Sequence, residues 1–305
     1  MGVGAGGQVV VGLGGGGVGA GGQLVGPAGG AGWWVATGAG RVPQRGDRRP
    51  RYGRGMTTDE LVQAACPLIR DMGWQFYFAP TTVERGQELG LDVFRFYFLG
   101  RGGVLGDVEA QVVASAFGYF NPAVVADMWD SGRAVIAPRE GGRAYMACCA
   151  QFGRDHLSEL PDLAGLCGAL EAVQQAADPT ALALYAAVSA EPLVDDLPGR
   201  AMQLVAMLRE LRGSAHLLAL VAVGLAPKTA HFLNRPDDMG LFGWPAGDVP
   251  VVTASDRERL DAAEAMTDRL VRPAYGALDA AGADVLLGGL QAMMSVLGEA
   301  SLPAV

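Results

Sequence analysis

The chain has 305 residues, half of them hydrophobic and 18% charged, with a net charge of -9. That balance excludes collagen-like and wholly disordered classes, and a globular body of this length buries enough surface to stand without a metal or a disulfide. Residues 1–55 carry six arginines against one acid, which leaves 17 basic and 31 acidic residues from 56 onward, a charge that repels nucleic-acid backbones at long range unless a local basic patch intervenes.

Residues 1–55 also hold 21 of the 46 glycines, in runs such as GLGGGGVGAGG, before switching to RVPQRGDRRPRYGRG. Such a stretch cannot build a packed core, so a disordered Gly/Arg-rich leader is expected there, with Met56 as the natural start. From Met56 the texture changes. Thr57 and Glu60 have the spacing of a capping box, and Leu61, Ala64, Ala65 and Leu68 follow at helical spacing.

Gly and Pro signals then divide 56–305 into predicted helices at 57–71, 81–89, 108–119, 122–130, 140–156, 160–176 and 180–190. The second half continues with 199–212, 214–223, 227–234, 255–272 and 280–298. Ser255 and Glu258 read as a second capping box and Pro273 as the end of that helix. The aromatic run VFRFYFLG at 93–100 has some strand character, but no second run of comparable strength exists to pair with it, and it is read as helical.

At a constant offset of 134, Gly90, Leu91, Phe98, Leu99, Arg101 and Gly106 align on Gly224, Leu225, Phe232, Leu233, Arg235 and Gly240. The alignment suggests two related helix-turn-helix units, with chance as the competing explanation. The expected architecture is all-α: a multi-helix bundle with helix-turn-helix-like units, as one body or as two similar packed halves, 56–195 and 196–305.

No stretch offers 18 unbroken apolar residues, so neither a membrane span nor membrane partnership is expected. Cys66, Cys148, Cys149 and Cys167 form no CxxC pair, which fits buried thiols in a reducing, cytoplasmic compartment. His156, His216 and His231 fall on three different predicted helices without an HxxxH or HExxH pair, so neither a metal site nor a cofactor is indicated. The loop GRGGVLGD at 100–107 has GxGxxxG spacing instead of GxGxxG, and Arg95 interrupts the stretch before it; it reads as a glycine-rich turn between helices. No GxSxG elbow occurs.

Two constellations are candidates for function. LRGSAHLLALVAVGLAPKTAHFLN at 211–234 has an apolar helix, a turn at Gly224-Leu225-Ala226 and a second helix opening at Pro227, the layout of a helix-turn-helix. As a DNA reader the second helix offers only Lys228, Asn234 and Arg235 before Pro236, and Lys228 is the only lysine in the chain. The other constellation is polar residues on apolar faces. Arg212 and His216 continue the stripe Ala201, Leu204, Val205, Leu208 and Leu211, and Glu264 shares a face with Leu260, Thr267 and Val271. A structural Arg212–Glu264 ion pair with His216 beside it satisfies the rule that buried charges are paired. The sharper alternative is a polar pocket in which Arg212, with Arg101 or Arg235, clamps an anionic small molecule while His216 or His231 exchanges protons.

The segments GRGGVLGD, VVASAFGYFNPAVV, LRELRGSAHLLALVAVGLAPKTAHFL, FGWP and EAMTDRLVRPAYGAL, taken in order, resemble the actinobacterial SalK-like helix-turn-helix family over nearly all of 56–305. The resemblance implies an all-helical fold, raises the case for DNA binding a little, and carries no catalytic residue across. Three readings of function follow. The first is a small-ligand-binding or regulatory protein with an interhelical polar pocket. The second is a DNA-binding regulator, working as a homodimer. The third is an enzyme acting on a small anionic metabolite with His216 as general base.

Overall fold

The longest helix among the described residues forms the axis of the fold. In the computed structural model, which describes residues 56–298, Leu197–Val223 is one helix of 27 residues, about 40 Å long at 1.5 Å per residue. Counted in chain order it is α9, preceded by α1 (Thr58–Met72), α2 (Pro80–Glu88), α3 (Val93–Gly102), α4 (Ala110–Phe117), α5 (Pro122–Arg133), α6 (Pro138–Leu157), α7 (Leu163–Ala176) and α8 (Ala183–Val188). After it come α10 (Pro227–Asn234), α11 (Ala254–Tyr275) and α12 (Ala280–Leu297), with 3-10 turns at Gly103–Leu105 and Pro236–Asp238 and no strand among the described residues. The fold is all-α. The leader expected at residues 1–55 lies outside the described residues.

α9 is packed by α6, α11, α7, α8 and α1, so it is buried on nearly every side along its first four turns. This overrides the break predicted between 199–212 and 214–223. A glycine inside a helix costs only about 1 kcal/mol, far less than the packing that α9 gains by running straight through Gly213. α12 has the length and composition of a membrane-crossing helix and packs here on α1 and α7.

The aromatic run predicted as helical is α3, started by Asp92, whose carboxylate accepts from the N–H groups of Phe94 and Arg95. The Thr57–Glu60 capping box forms as read. The second box does not: Thr253 and Asp256 make it, two residues before the predicted pair Ser255 and Glu258. Pro273 also lies inside α11 instead of ending it. The carbonyl that Pro273 leaves without an N–H belongs to Arg269, an exposed residue whose backbone water can satisfy, so the helix runs on to Tyr275.

Three of the glycines of 100–107, Gly100, Gly102 and Gly103, are spacers for close packing. A Cβ on Gly100 would press into the Tyr145 ring, and one on Gly103 would collide with the carbonyl oxygen of Pro138 at the start of α6.

The two turns found by the sequence offset share one backbone. Gly90 and Gly224 are left-handed, at φ 79° and 70°. In each, the next residue is a buried leucine whose N–H reaches back five positions: Leu91 to Gly86 O at 2.9 Å and Leu225 to Leu220 O at 3.0 Å. The following helices, α3 and α10, begin 134 positions apart, at Val93 and Pro227.

Candidate functional site

Because α9 is enclosed, its charged residues have to be paired inside the protein. Arg209 and Glu210, both about 95% buried, are the centre of that pairing. Arg101, from the last turn of α3, donates Nε to Glu210 Oε1 at 2.9 Å and Nη2 to Oε2 at 2.8 Å, and its Nη1 reaches Tyr97 Oη at 3.2 Å. Arg209 donates Nη1 to Glu210 Oε1 and to Tyr77 Oη, each at 2.9 Å, and the Tyr77 hydroxyl donates to the same carboxylate at 3.0 Å. Burial pushes the Glu210 carboxyl up, but the guanidiniums of Arg101 and Arg209 and these hydrogen bonds outweigh it and bring its pKa down to about 2.

This cluster forms one end of a narrow cleft that opens to solvent. α9 supplies Ser214, His216 and Leu217 to its wall, the end of α4 and the following segment supply Phe117, Tyr119 and Phe120, α10 supplies His231 and Asn234, and Phe242 closes the far side. The Arg101 guanidinium lies over the Phe117 ring at 4.4 Å, and the Phe120 and Phe242 rings stack at 4.3 Å. His231 sits 3.9 Å from the Phe242 ring, centre to centre, with its Nε2 buried and without a hydrogen-bond partner.

Both cleft histidines are held neutral. Burial, then the Arg212 charge, lowers His216 to about 3; burial, then Arg235, does the same for His231. The tautomer of His216 follows from its neighbour. Thr267 gives its one hydroxyl proton to Ala263 O at 2.7 Å, so at 3.0 Å from His216 Nδ1 it acts as the acceptor, and the imidazole proton sits on Nδ1. A histidine this far below its ordinary value and tied to Thr267 is poorly suited to be a general base at neutral pH.

The structure divides the residues singled out in the sequence. Arg101, His216 and His231 meet at the cleft. Arg212 lies behind it, in a second, smaller depression with Cys66, Arg70 and Tyr275, where it donates to Glu264 Oε2 at 2.9 Å and stands 3.2 Å from Asp268 Oδ1. Glu264 therefore serves Arg212, with its Oε1 3.7 Å from His216 Nε2. Arg235 pairs with Asp238 at 3.0 Å and does not line the cleft. Sequence reading missed Arg209, Glu210, Tyr77 and Tyr119; a charged pair in the middle of an apolar helix was the available signal, hidden by splitting α9 in two.

The α9–α10 pair turns through 111° at Gly224, the geometry of a helix-turn-helix. The model of the helix-turn-helix family matches residues 63–241, more than half of the chain. The chain belongs to the helix-turn-helix family. No curated protein and no solved structure matches it.

In this helix-turn-helix protein the second helix of the unit is not a projecting one. Every residue from Pro227 to Asn234 is buried or half-buried. Lys228 pairs with Asp248 at 2.5 Å and lies over the Trp244 ring at 4.2 Å, Asn234 lines the cleft, and Arg235 is tied to Asp238.

Proposed function

We propose that this protein is a small-ligand-binding regulator of the helix-turn-helix family, of the SalK-like branch, and that its ligand occupies the cleft between the α4–α5 connection, α9 and α10. One observation carries the reading: α10 turns His231 and Asn234 toward an aromatic-walled cleft with a guanidinium–carboxylate floor, where a free recognition helix would present side chains to solvent. The test is thermal-shift screening of the full chain against a metabolite panel, with His231→Ala alongside. A ligand at 100 times its dissociation constant raises stability by about 2.7 kcal/mol, a shift well within detection. A hit that disappears in the variant supports the reading, and no hit across the panel refutes it.

A DNA-binding regulator is the second reading, favoured by the family match and by the 111° crossing of α9 and α10. It requires α10 to leave the contacts that now cover Lys228 and Arg235. Stabilisation by duplex DNA that fades with added salt supports it.

A further inference from the structure

The polar end of the cleft carries one positive charge more than it neutralises, because Arg101 and Arg209 both face the single carboxylate of Glu210. Arg101 has placed all three of its nitrogens on Glu210 and Tyr97. Arg209 has not. Its Nε–H is buried and has no acceptor, a costly condition for a charged group. The Ser214 hydroxyl, one turn along α9 and on the same cleft, is buried without a partner too, and so is His231 Nε2 across from it. Three residues on one cleft thus have polar atoms that nothing among the described residues satisfies, a rare condition in native interiors outside functional sites.

Apart from Asn234 and the histidines, the other walls are mostly apolar, with Leu217 and Ala230 beside the rings of Phe117, Phe120 and Phe242. Phe117, Phe120 and Phe242 offer neither donor nor acceptor to a sugar or an inorganic phosphate, but they match a flat ring through stacked and edge contacts. One surplus charge balances one carboxylate; a dianion would leave a buried negative charge uncompensated.

Building on the ligand-binding reading above, we infer that the cleft takes a flat aromatic monocarboxylate, its carboxylate held by Arg209 Nε and the Ser214 hydroxyl and its ring seated among Phe117, Phe120 and Phe242. His231 Nε2 supplies one further polar contact.

The experiment is calorimetric titration of the full chain with benzoate, cinnamate and 1-naphthoate, against benzamide, acetate and inorganic phosphate as controls. At least one of the three acids binds, benzamide binds about tenfold more weakly than benzoate or worse, and acetate and phosphate give no heat. Ser214→Ala and His231→Gln, two changes that leave the Arg101–Glu210–Arg209 cluster whole, each weaken the acid severalfold. Equal binding of benzamide and benzoate overturns the inference, as does equal binding of acetate or phosphate, affinity unchanged in both variants, or silence from all three acids. Silence here together with a metabolite hit that His231→Ala abolishes refutes the ligand class alone, whereas silence across the whole metabolite panel refutes the ligand-binding reading itself.

Discussion

Arg101 and Glu210 join α3 to the middle of α9 through two parallel hydrogen bonds, 2.9 and 2.8 Å long, and Arg209 shares the same carboxylate from the neighbouring position. Removing the charge from Glu210 would leave two buried guanidiniums without a counter-ion. Glu210→Gln is therefore expected to cost about 3–5 kcal/mol, read as a lower midpoint in urea unfolding at unchanged slope. Arg212 is the contrast. Its side chain is 23% exposed and its partners Glu264 and Asp268 are 23% and 35% exposed, so Arg212→Ala is expected to cost only about 1 kcal/mol. Equal losses in the two variants would mean that the Glu210 cluster is far better solvated than its burial implies.

Acid should destabilise this protein earlier than a carboxylate-stabilised protein. His216 and His231 have folded pKa values of about 3, below their ordinary 6.5. Between those values the unfolded chain binds protons that the folded chain refuses, so stability is full above pH 6.5 and falls as pH drops through that window. By pH 5 the loss is about 2 kcal/mol per histidine. Glu210 adds its own loss only below 4.5, its ordinary value, as pH approaches its folded pKa of about 2. Urea midpoints measured from pH 8 to 4 should decline from near 6.5, and His231→Phe should flatten the first part of that decline. A plateau down to pH 4.5 would show that the histidines are not held neutral.

Two glycines separate a packing requirement from a conformational one. Gly103→Ala drives a methyl group into the Pro138 carbonyl, backbone against backbone, and is expected to cost about 3 kcal/mol. Gly224→Ala meets nothing within 4 Å and carries only the penalty of a left-handed alanine, about 1–2 kcal/mol. Gly224→Asn should recover part of that, since asparagine tolerates the conformation better. Thermal unfolding of the three variants gives the order directly; a milder effect at Gly103 than at Gly224 would contradict the close approach of the Gly103–Leu105 turn to α6.

Most of the helices were legible because their signals are local: Thr57 and Glu60 at the start of α1, Gly224 at the end of α9, apolar spacing in between. The errors fell where tertiary packing or solvent overruled a local signal. Gly213 reads as a break, yet α9 crosses it because neighbours enclose both sides. Pro273 reads as a stop, yet the carbonyl it orphans belongs to an exposed residue, Arg269, where water can take the place of the missing N–H. The candidate site was half legible for a related reason. Arg212 and Glu264 could be paired from helical faces, since each lies on a stripe with a definite inner side. Arg209 and Glu210 could not, because a helix ended at residue 212 puts them in its polar last turn, where charges look ordinary, instead of in the middle of a buried helix. The partners Tyr77 and Arg101 come from 133 and 109 positions away, a convergence that no spacing within one helix reveals.

The family's shape and this chain's surface make opposite demands on Lys228. In a projecting recognition helix a lysine touches phosphate, and its removal lowers the salt slope of DNA binding by about one unit. Here the ammonium already sits between Asp248 and the Trp244 ring, its side chain 20% exposed. Lys228→Ala is therefore expected to leave the salt dependence of any duplex binding unchanged while destabilising the fold by about 0.5–1 kcal/mol through loss of the cation–ring contact. Titration of a short duplex at several salt concentrations, with urea unfolding of the same samples, measures both quantities. A slope that falls by one unit with stability intact would mean that α10 leaves the cleft to meet DNA, and that the loop carrying Trp244 and Asp248 moves with it.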